Sequence, residues 1–217
     1  AGRRCELLKD FRKTMGDNGK IVATDISVTA PAIYMADKYY IVPRIDDDNY
    51  IPTILDICKK EEIQAVTTLI DPEIMILAEH RKEFEEIGVE VLAPYKETAE
   101  LCFDKFRMFQ YLKEKNIRTV LTYGDIESFE EGIAKKEIDF PVFVKPRRGS
   151  GSVGARKITS MEHLKEAMIQ DQSLIIQEFM GDALDIDADI YVDTISNQAV
   201  SLFSKRKLET KIGGASK

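Results

Sequence analysis

Apolar positions in residues 1–98 switch repeatedly between helical and strand spacing. Residues 6–15 read as a helix. Residues 20–24 form a strand ending at Asp25, and residues 37–42 lead to a second strand closed by Pro43. Residues 50–62 are helical, with apolar Ile51, Ile54, Leu55 and Cys58, and residues 64–68 return to strand spacing. Asp71-Pro72-Glu73 marks a helix start, with Asp71 as cap, proline at the first helical position and an acid in the first turn. That helix is expected to run to about Ile87 and stop at Gly88, before a strand over 89–92. Alternating helices and strands predict an α/β, Rossmann-like domain with a parallel sheet. The chain opens at Ala1-Gly2-Arg3-Arg4 directly before a helix, so a strand is expected to precede this turn. The turns at 25–31 and 69–73 fall at strand C-terminal ends, where open α/β sheets bind ligands. Asp71 and Glu73 there read equally as contacts to an amine or as helix caps.

The second half is patterned differently. A helix over 99–115 carries Lys105, a strand covers 118–123 and a short helix 128–136. Residues 140–158 hold one lysine on an apolar strand, a Pro-Arg-Arg step, a loop of three glycines and two serines, and a second short strand. Thr159-Ser-Met-Glu162 has capping-box spacing and opens a helix to about Ile169. Residues 174–178 form a strand, and 187–194 and 199–206 form two more.

The loop Gly149-x-Gly151-x-x-Gly154 matches the dinucleotide-binding fingerprint as a string. That fingerprint needs a helix opening directly after the glycines, whereas Ala155-Arg-Lys-Ile158 reads as a strand. No Gly-Lys-Ser/Thr closes a Walker A loop. A protein kinase places its lysine after the glycine loop and adds His-Arg-Asp and Asp-Phe-Gly motifs; here Lys145 precedes the loop and both motifs are missing from the sequence. What remains is a hairpin tip whose N–H groups suit a polyphosphate.

Charge sharpens this. Net charge is −7, which argues against general nucleic-acid binding. On such a background the cluster Lys145, Arg147, Arg148, Arg156 and Lys157 points to an anionic ligand. Cys5, Cys58 and Cys102 are far apart, show no metal-ligand spacing and suit a reducing cytoplasm. His80 and His163 fall on charged helix faces. No apolar run of membrane-spanning length is visible.

The order of motifs resembles the ATP-grasp superfamily: Asp104-Lys105-Phe106 opening a helix, Val144-Lys145-Pro146 before a glycine-rich flap, Gln177-Glu178-Phe179-Met180 as a hinge, then Asp185 and Asp189-Ile-Tyr-Val-Asp193. Within it, the chain looks most like the carbamoyl-phosphate synthase large subunit and its free-standing relatives. The resemblance implies a Rossmann-like pre-ATP-grasp domain over 1–98, a small lobe with the flap over 99–180 and the start of a large lobe over 181–217. It implies that Lys105, Lys145 and Arg147 with Gly149, Ser150, Gly151 and Ser152 hold the phosphates of ATP. Gln177, Glu178, Phe179 and Met180 would meet adenine, sandwiched by Val142, Val144 and Ile176, and Asp185 the ribose. Arg206, Glu209 and Lys211 become candidate catalytic residues in the loop after the large-lobe hairpin. Carbamoyl-phosphate synthases usually have arginine at both lysine positions and the family usually has Glu at the Asp185 position, so another branch of the family is indicated.

The implied reaction forms an acyl phosphate from a carboxylate or bicarbonate and passes it to an amine or other nucleophile. Small-molecule carboxylates and amines are the implied partners, without nucleic acid or membrane, and a homodimer is compatible with it. Mg²⁺ ligands in this family are expected beyond residue 217, so none is assigned here and this stretch alone is expected not to turn over. The alternative is a non-catalytic nucleotide-binding or regulatory module. An NAD-binding Rossmann protein, with Asp25 as its acid, would leave Lys145 and the flap unexplained.

Overall fold

The computed structural model describes residues 2–181, 183–193, 196–208, 210–211 and 214–215. The chain divides into two compact units, Ala1–Glu100 and Leu101–Lys217.

In the first unit, helix α1 (Cys5–Met15) is followed by β1 (Val22–Asp25), a short 3-10 turn (Pro31–Met35) and β2 (Lys38–Ile41). Then come α2 (Tyr50–Glu61), β3 (Ala65–Val66), α3 (Asp71–Glu79), α4 (Arg81–Glu86), β4 (Glu90–Val91) and α5 (Lys96–Phe103), which reaches into the second unit. The pairs β1–β2 and β3–β4 are both parallel. Tyr50, Ile51, Ile54, Ile57, Leu77, Phe84, Val89 and Val91 join them in one buried core. Burying that much apolar surface is the main force holding the unit together.

Two carboxylates tie this unit internally. Glu61, at the end of α2, is buried and binds Lys20, Lys38 and Tyr40, which flank or lie in β1 and β2. The Lys20 and Tyr40 bonds, then that of Lys38, outweigh burial and hold its carboxyl down to about 2. Glu73 binds the Tyr50 hydroxyl and accepts from Thr68 Oγ1 at 2.5 Å, so its carboxylate is engaged within the fold. Asp71 makes no capping bond: the helix begins one residue earlier than the capping pattern predicts, with Ile70 at the cap position. Thr68 supplies the local order instead, since its Oγ1 accepts from the N–H of Ile70 at 3.2 Å.

The single helix expected to end near Ile87 is broken at His80, whose backbone is non-helical (φ −94°, ψ 9°). Arg81 is the reason. Its guanidinium is buried and donates to the carbonyls of Val91 (2.9 Å) and Ala93, while stacking over Tyr95. His80 Nδ1 lies 2.5 Å from Glu83 in the gap between the helices.

The second unit contains α6 (Lys105–Glu114), β5 (Thr122–Tyr123), α7 (Ile126–Ala134), β6 (Val142–Pro146), β7 (Arg156–Ile158), α8 (Met161–Gln170) and β8 (Leu174–Glu178). Its four-stranded sheet is antiparallel, in the order β5-β8-β6-β7. A hairpin, β9 (Ile186–Asp193) with β10 (Gln198–Arg206), follows, and β11 (Thr210–Lys211) pairs with β12 (Gly214–Ala215). Side chains alternate across a strand, so Val142, Val144, Ile158, Leu174 and Ile176 face α7 and α8 and pack with Phe129 and Leu164. Gly132 in α7 lets that helix approach β5, since a Cβ there would stand 2.3 Å from the Tyr123 hydroxyl.

Two helix starts differ from the sequence reading. The cap of α8 is Ser160 rather than Thr159; its Oγ accepts from His163 N–H at 3.4 Å. The helix expected over 99–115 is two helices separated at Asp104, which is extended and caps α6 by accepting from Arg107 N–H at 3.0 Å.

Candidate functional site

The face of the sheet opposite the α7–α8 core carries the chemistry. Phe143 and Lys145 alternate with the buried Val142 and Val144 on β6. Their register partners on β8 are Gln177 and Ile175, and Lys157 on β7 stands opposite Phe143. The turn between β6 and β7 leads into strand rather than helix, so the glycine loop is a hairpin tip. Gly149, Gly151 and Gly154 have φ of 113°, 71° and 75° there, a region open to glycine at little steric cost. Ser152 adopts φ 58° between them.

Lys145 is half-buried. Burial first, and then the charge of Lys105, hold its ammonium below the usual lysine range. Among the described residues it has no ion pair or hydrogen bond. Lys105 is the first residue of α6, and its Nζ donates to the carbonyl of Gly149 in the flap at 2.7 Å. The two ammonium groups thus lie near one another beside a glycine-rich loop. Burying the Lys145 charge there costs free energy until an anion joins it.

Arg147 is paired with a carboxylate. Its Nε lies 2.7 and 2.8 Å from the two carboxylate oxygens of Asp104, and Arg148 Nε lies 3.6 Å from the same group. Asp104 is only 2% exposed. Burial pushes its carboxyl up, but the Arg147 bond, the Arg107 N–H and the charge of Arg148 together bring it below the usual carboxylate range.

A concavity of about 280 Å³ opens at the end of β8, lined by Val120, Phe143, Gln177, Glu178, Phe179, Met180 and Gly181. Phe143 and Phe179 stack with ring centroids 6.5 Å apart, and the Lys157 ammonium lies 4.5 Å above the Phe179 ring. Gln177 is buried and donates from Nε2 to Thr122 Oγ1 at 2.8 Å. Glu178 is exposed, and the Met180 carbonyl accepts from Ala183 N–H. The apolar residues expected to sandwich a base, Val142, Val144 and Ile176, are instead fully buried in the core. Phe143 and Phe179 are the apolar surfaces presented to the concavity. Phe143 was detectable in the sequence, because strand alternation puts it on the same face as Lys145.

Asp185 lies just before β9, exposed, with its carboxylate 3.3 Å from Lys207 Nζ. Lys207 also binds Asp187 at 2.9 Å, and Lys205 binds Asp189 at 2.9 Å, so the acidic run is largely matched by lysines. Arg206 ends β10, exposed. Glu209 lies outside the described residues, and Lys211 is described only through its backbone pairing with Gly214. Among the described residues no three His, Cys, Asp or Glu side chains converge as a metal site. No described helix is long and apolar enough to cross a membrane.

This fold and these motifs define the chain as a member of the ATP-grasp superfamily. Residues 1–92 match the family described as PylC-like, N-terminal domain, and residues 120–209 match the D-ala D-ala ligase C-terminus. D-alanine–D-alanine ligase B of Clostridium perfringens is 36% identical over 89 residues, covering 38% of this chain and 29% of that protein. The carbamoyl phosphate synthase large chain of Pseudothermotoga lettingae is 25% identical over 189 residues, 82% of this chain and 16% of that one. The biotin carboxylase domain of 2-oxoglutarate carboxylase from Hydrogenobacter thermophilus, solved with MgADP, ADP and bicarbonate, shares the fold at TM-score 0.68 and 21% identity. That match covers 92% of this chain and 46% of the solved one. The chain therefore spans less than half the length of each of these proteins.

Proposed function

We propose that this chain binds ATP on the Lys145 face of its second unit, as part of a ligase that converts a carboxylate or bicarbonate to an acyl phosphate and transfers it to an amine or other nucleophile. One observation carries the reading: a half-buried lysine, without a counter-charge among the described residues, held near a second lysine beneath a glycine-rich hairpin. A polyphosphate supplies the missing negative charge.

In this reading Lys145 and Lys105 bracket the phosphates. The N–H groups and hydroxyls of Ser150, Gly151 and Ser152 fold over them and exclude water from the acyl phosphate. Adenine enters the concavity beside Phe143 and Phe179. Gln177 Nε2 is already bound to Thr122, which leaves its carbonyl oxygen to accept from the exocyclic amine. Glu178 and the backbone near Met180 border the ring edge. Asp185 would reach the ribose by exchanging its bond to Lys207, and Arg206, Glu209 and Lys211 are assigned to the acyl group. Mg²⁺, when bound with ATP, would neutralise charge on the transferring phosphoryl group. Arg147 acts through Asp104 rather than as a direct phosphate ligand.

The acceptor is the open branch. The likeness to a biotin carboxylase domain solved with bicarbonate favours bicarbonate activation; the match of residues 120–209 to the D-ala D-ala ligase C-terminus favours an amino acid amine. Cytoplasmic location and a homodimer complete the proposal. The test is ADP release by the full-length protein across a panel of carboxylates and amines with Mg²⁺. ATP binding with no acceptor-dependent ADP release would favour a regulatory nucleotide module instead.

A further inference from the structure

We infer that Asp104 is the positioning residue of the phosphate site: it touches no ligand, but fastens the start of α6 to the root of the flap and thereby sets Lys105 against Lys145. This rests on the nucleotide reading above. Asp104 does three things with one buried carboxylate. It caps α6 through Arg107 N–H at 3.0 Å, which makes Lys105 the first helical residue. It binds Arg147 Nε with both oxygens, at 2.7 and 2.8 Å. It draws Arg148 to 3.6 Å. Two further bonds run alongside: Lys105 N–H donates to the Arg147 carbonyl at 3.0 Å, and Lys105 Nζ to the Gly149 carbonyl at 2.7 Å. Arg147 follows Lys145 by two residues at the end of β6, and its own N–H is anchored to the Ser173 carbonyl at 2.8 Å.

Two ammonium groups held near each other repel, so the start of α6 must be held beside the end of β6 by more than the Lys105 N–H bond to the Arg147 carbonyl. A buried carboxylate paired with an arginine from the other segment provides that hold, because separating them would strand a charge in a poorly solvated place. A carboxylate so close to a phosphate site would otherwise repel the ligand; here its charge is taken up by Arg147 and Arg148.

Asp104→Asn separates positioning from simple charge. Asparagine still caps a helix, and the variant gains one positive charge. Charge alone therefore predicts tighter ATP binding, whereas positioning predicts weaker. Calorimetric titration of the full chain with ATP and, separately, adenosine reads the difference. We expect ATP affinity to fall about 5- to 20-fold, within the coupling range of contacting groups, with adenosine affinity unchanged. Arg147→Gln should reproduce the loss, and the double variant should be no worse than either single one. Equal or tighter ATP binding by Asp104→Asn, or additive losses in the double variant, would overturn the inference while leaving the site reading intact. If Asp104→Asn does not fold, undiminished ATP affinity in Arg147→Gln would overturn it alone. Wild-type protein that binds ATP no better than adenosine would remove both readings.

Discussion

Replacing Lys145 by methionine should move ligand affinity and stability apart. Methionine keeps the length and the apolar stem of lysine while deleting the charge. In the free protein that charge is unfavourable: burial, then Lys105, depress its pKa from 10.5. At neutral pH the ammonium is charged in both folded and unfolded chains, so the folded state carries the whole penalty. It is relieved only as pH rises through the folded pKa toward 10.5, where the unfolded chain binds the proton more strongly. Lys145→Met should therefore leave the melting temperature at pH 7 unchanged or raised, and that advantage over the wild type should shrink as pH rises toward 10.5. The same deletion strips a phosphate of a half-buried cationic partner. Losing one side of such a pair costs about 2–5 kcal/mol when fully buried. Half-exposure places Lys145 near the low end, about 2–3 kcal/mol, or roughly 25- to 150-fold in affinity for ATP. Thermal unfolding across pH and calorimetry with ATP measure both. A lowered melting temperature with unchanged affinity would mean that Lys145 is a structural residue, and the reasoning would fail.

Two other predictions follow from the same geometry. Phe143→Ala and Val144→Ala change adjacent residues on opposite faces of β6. Phe143→Ala should weaken ATP and adenosine alike, while Val144→Ala, at a fully buried site, should cost about 2 kcal/mol of stability from two lost methyl groups and the space they leave; equal stability losses measured by urea unfolding would contradict the assigned faces. Glu61→Gln should lower the melting temperature at pH 7 and flatten the acid response. The Glu61 carboxyl is held down to about 2 from 4.5, so its contribution is present above pH 4.5 and is lost as pH falls toward 2; an unchanged acid-unfolding curve would refute this.

What the sequence showed, and what it hid, divides along local and distant causes. The parallel α/β first unit and the β6–β7 hairpin were legible, because each rests on periodicity or on neighbours in the chain. Periodicity hid the helix breaks at His80 and Asp104, although the family resemblance did place a helix start at Asp104-Lys105-Phe106. Each break is made by a side chain that finds its partner elsewhere: Arg81 at the carbonyls of Val91 and Ala93, and Asp104 at Arg147, 43 residues on. Strand alternation told which residues of β6 share a face, but not which face α7 and α8 would cover. Hence Val142, Val144 and Ile176 were assigned to adenine and proved to be core. The cap of α8 shifted by one residue because Thr159 and Ser160 both offer a hydroxyl.

Hydrogen–deuterium exchange of the full-length protein, with and without nucleotide, tests the central claim most directly. If the Lys145 flap closes over a phosphate chain, residues 149–154 become protected with ATP and stay unprotected with adenosine, while residues 177–181 are protected by both. Unchanged exchange at 149–154 in saturating ATP would contradict the account.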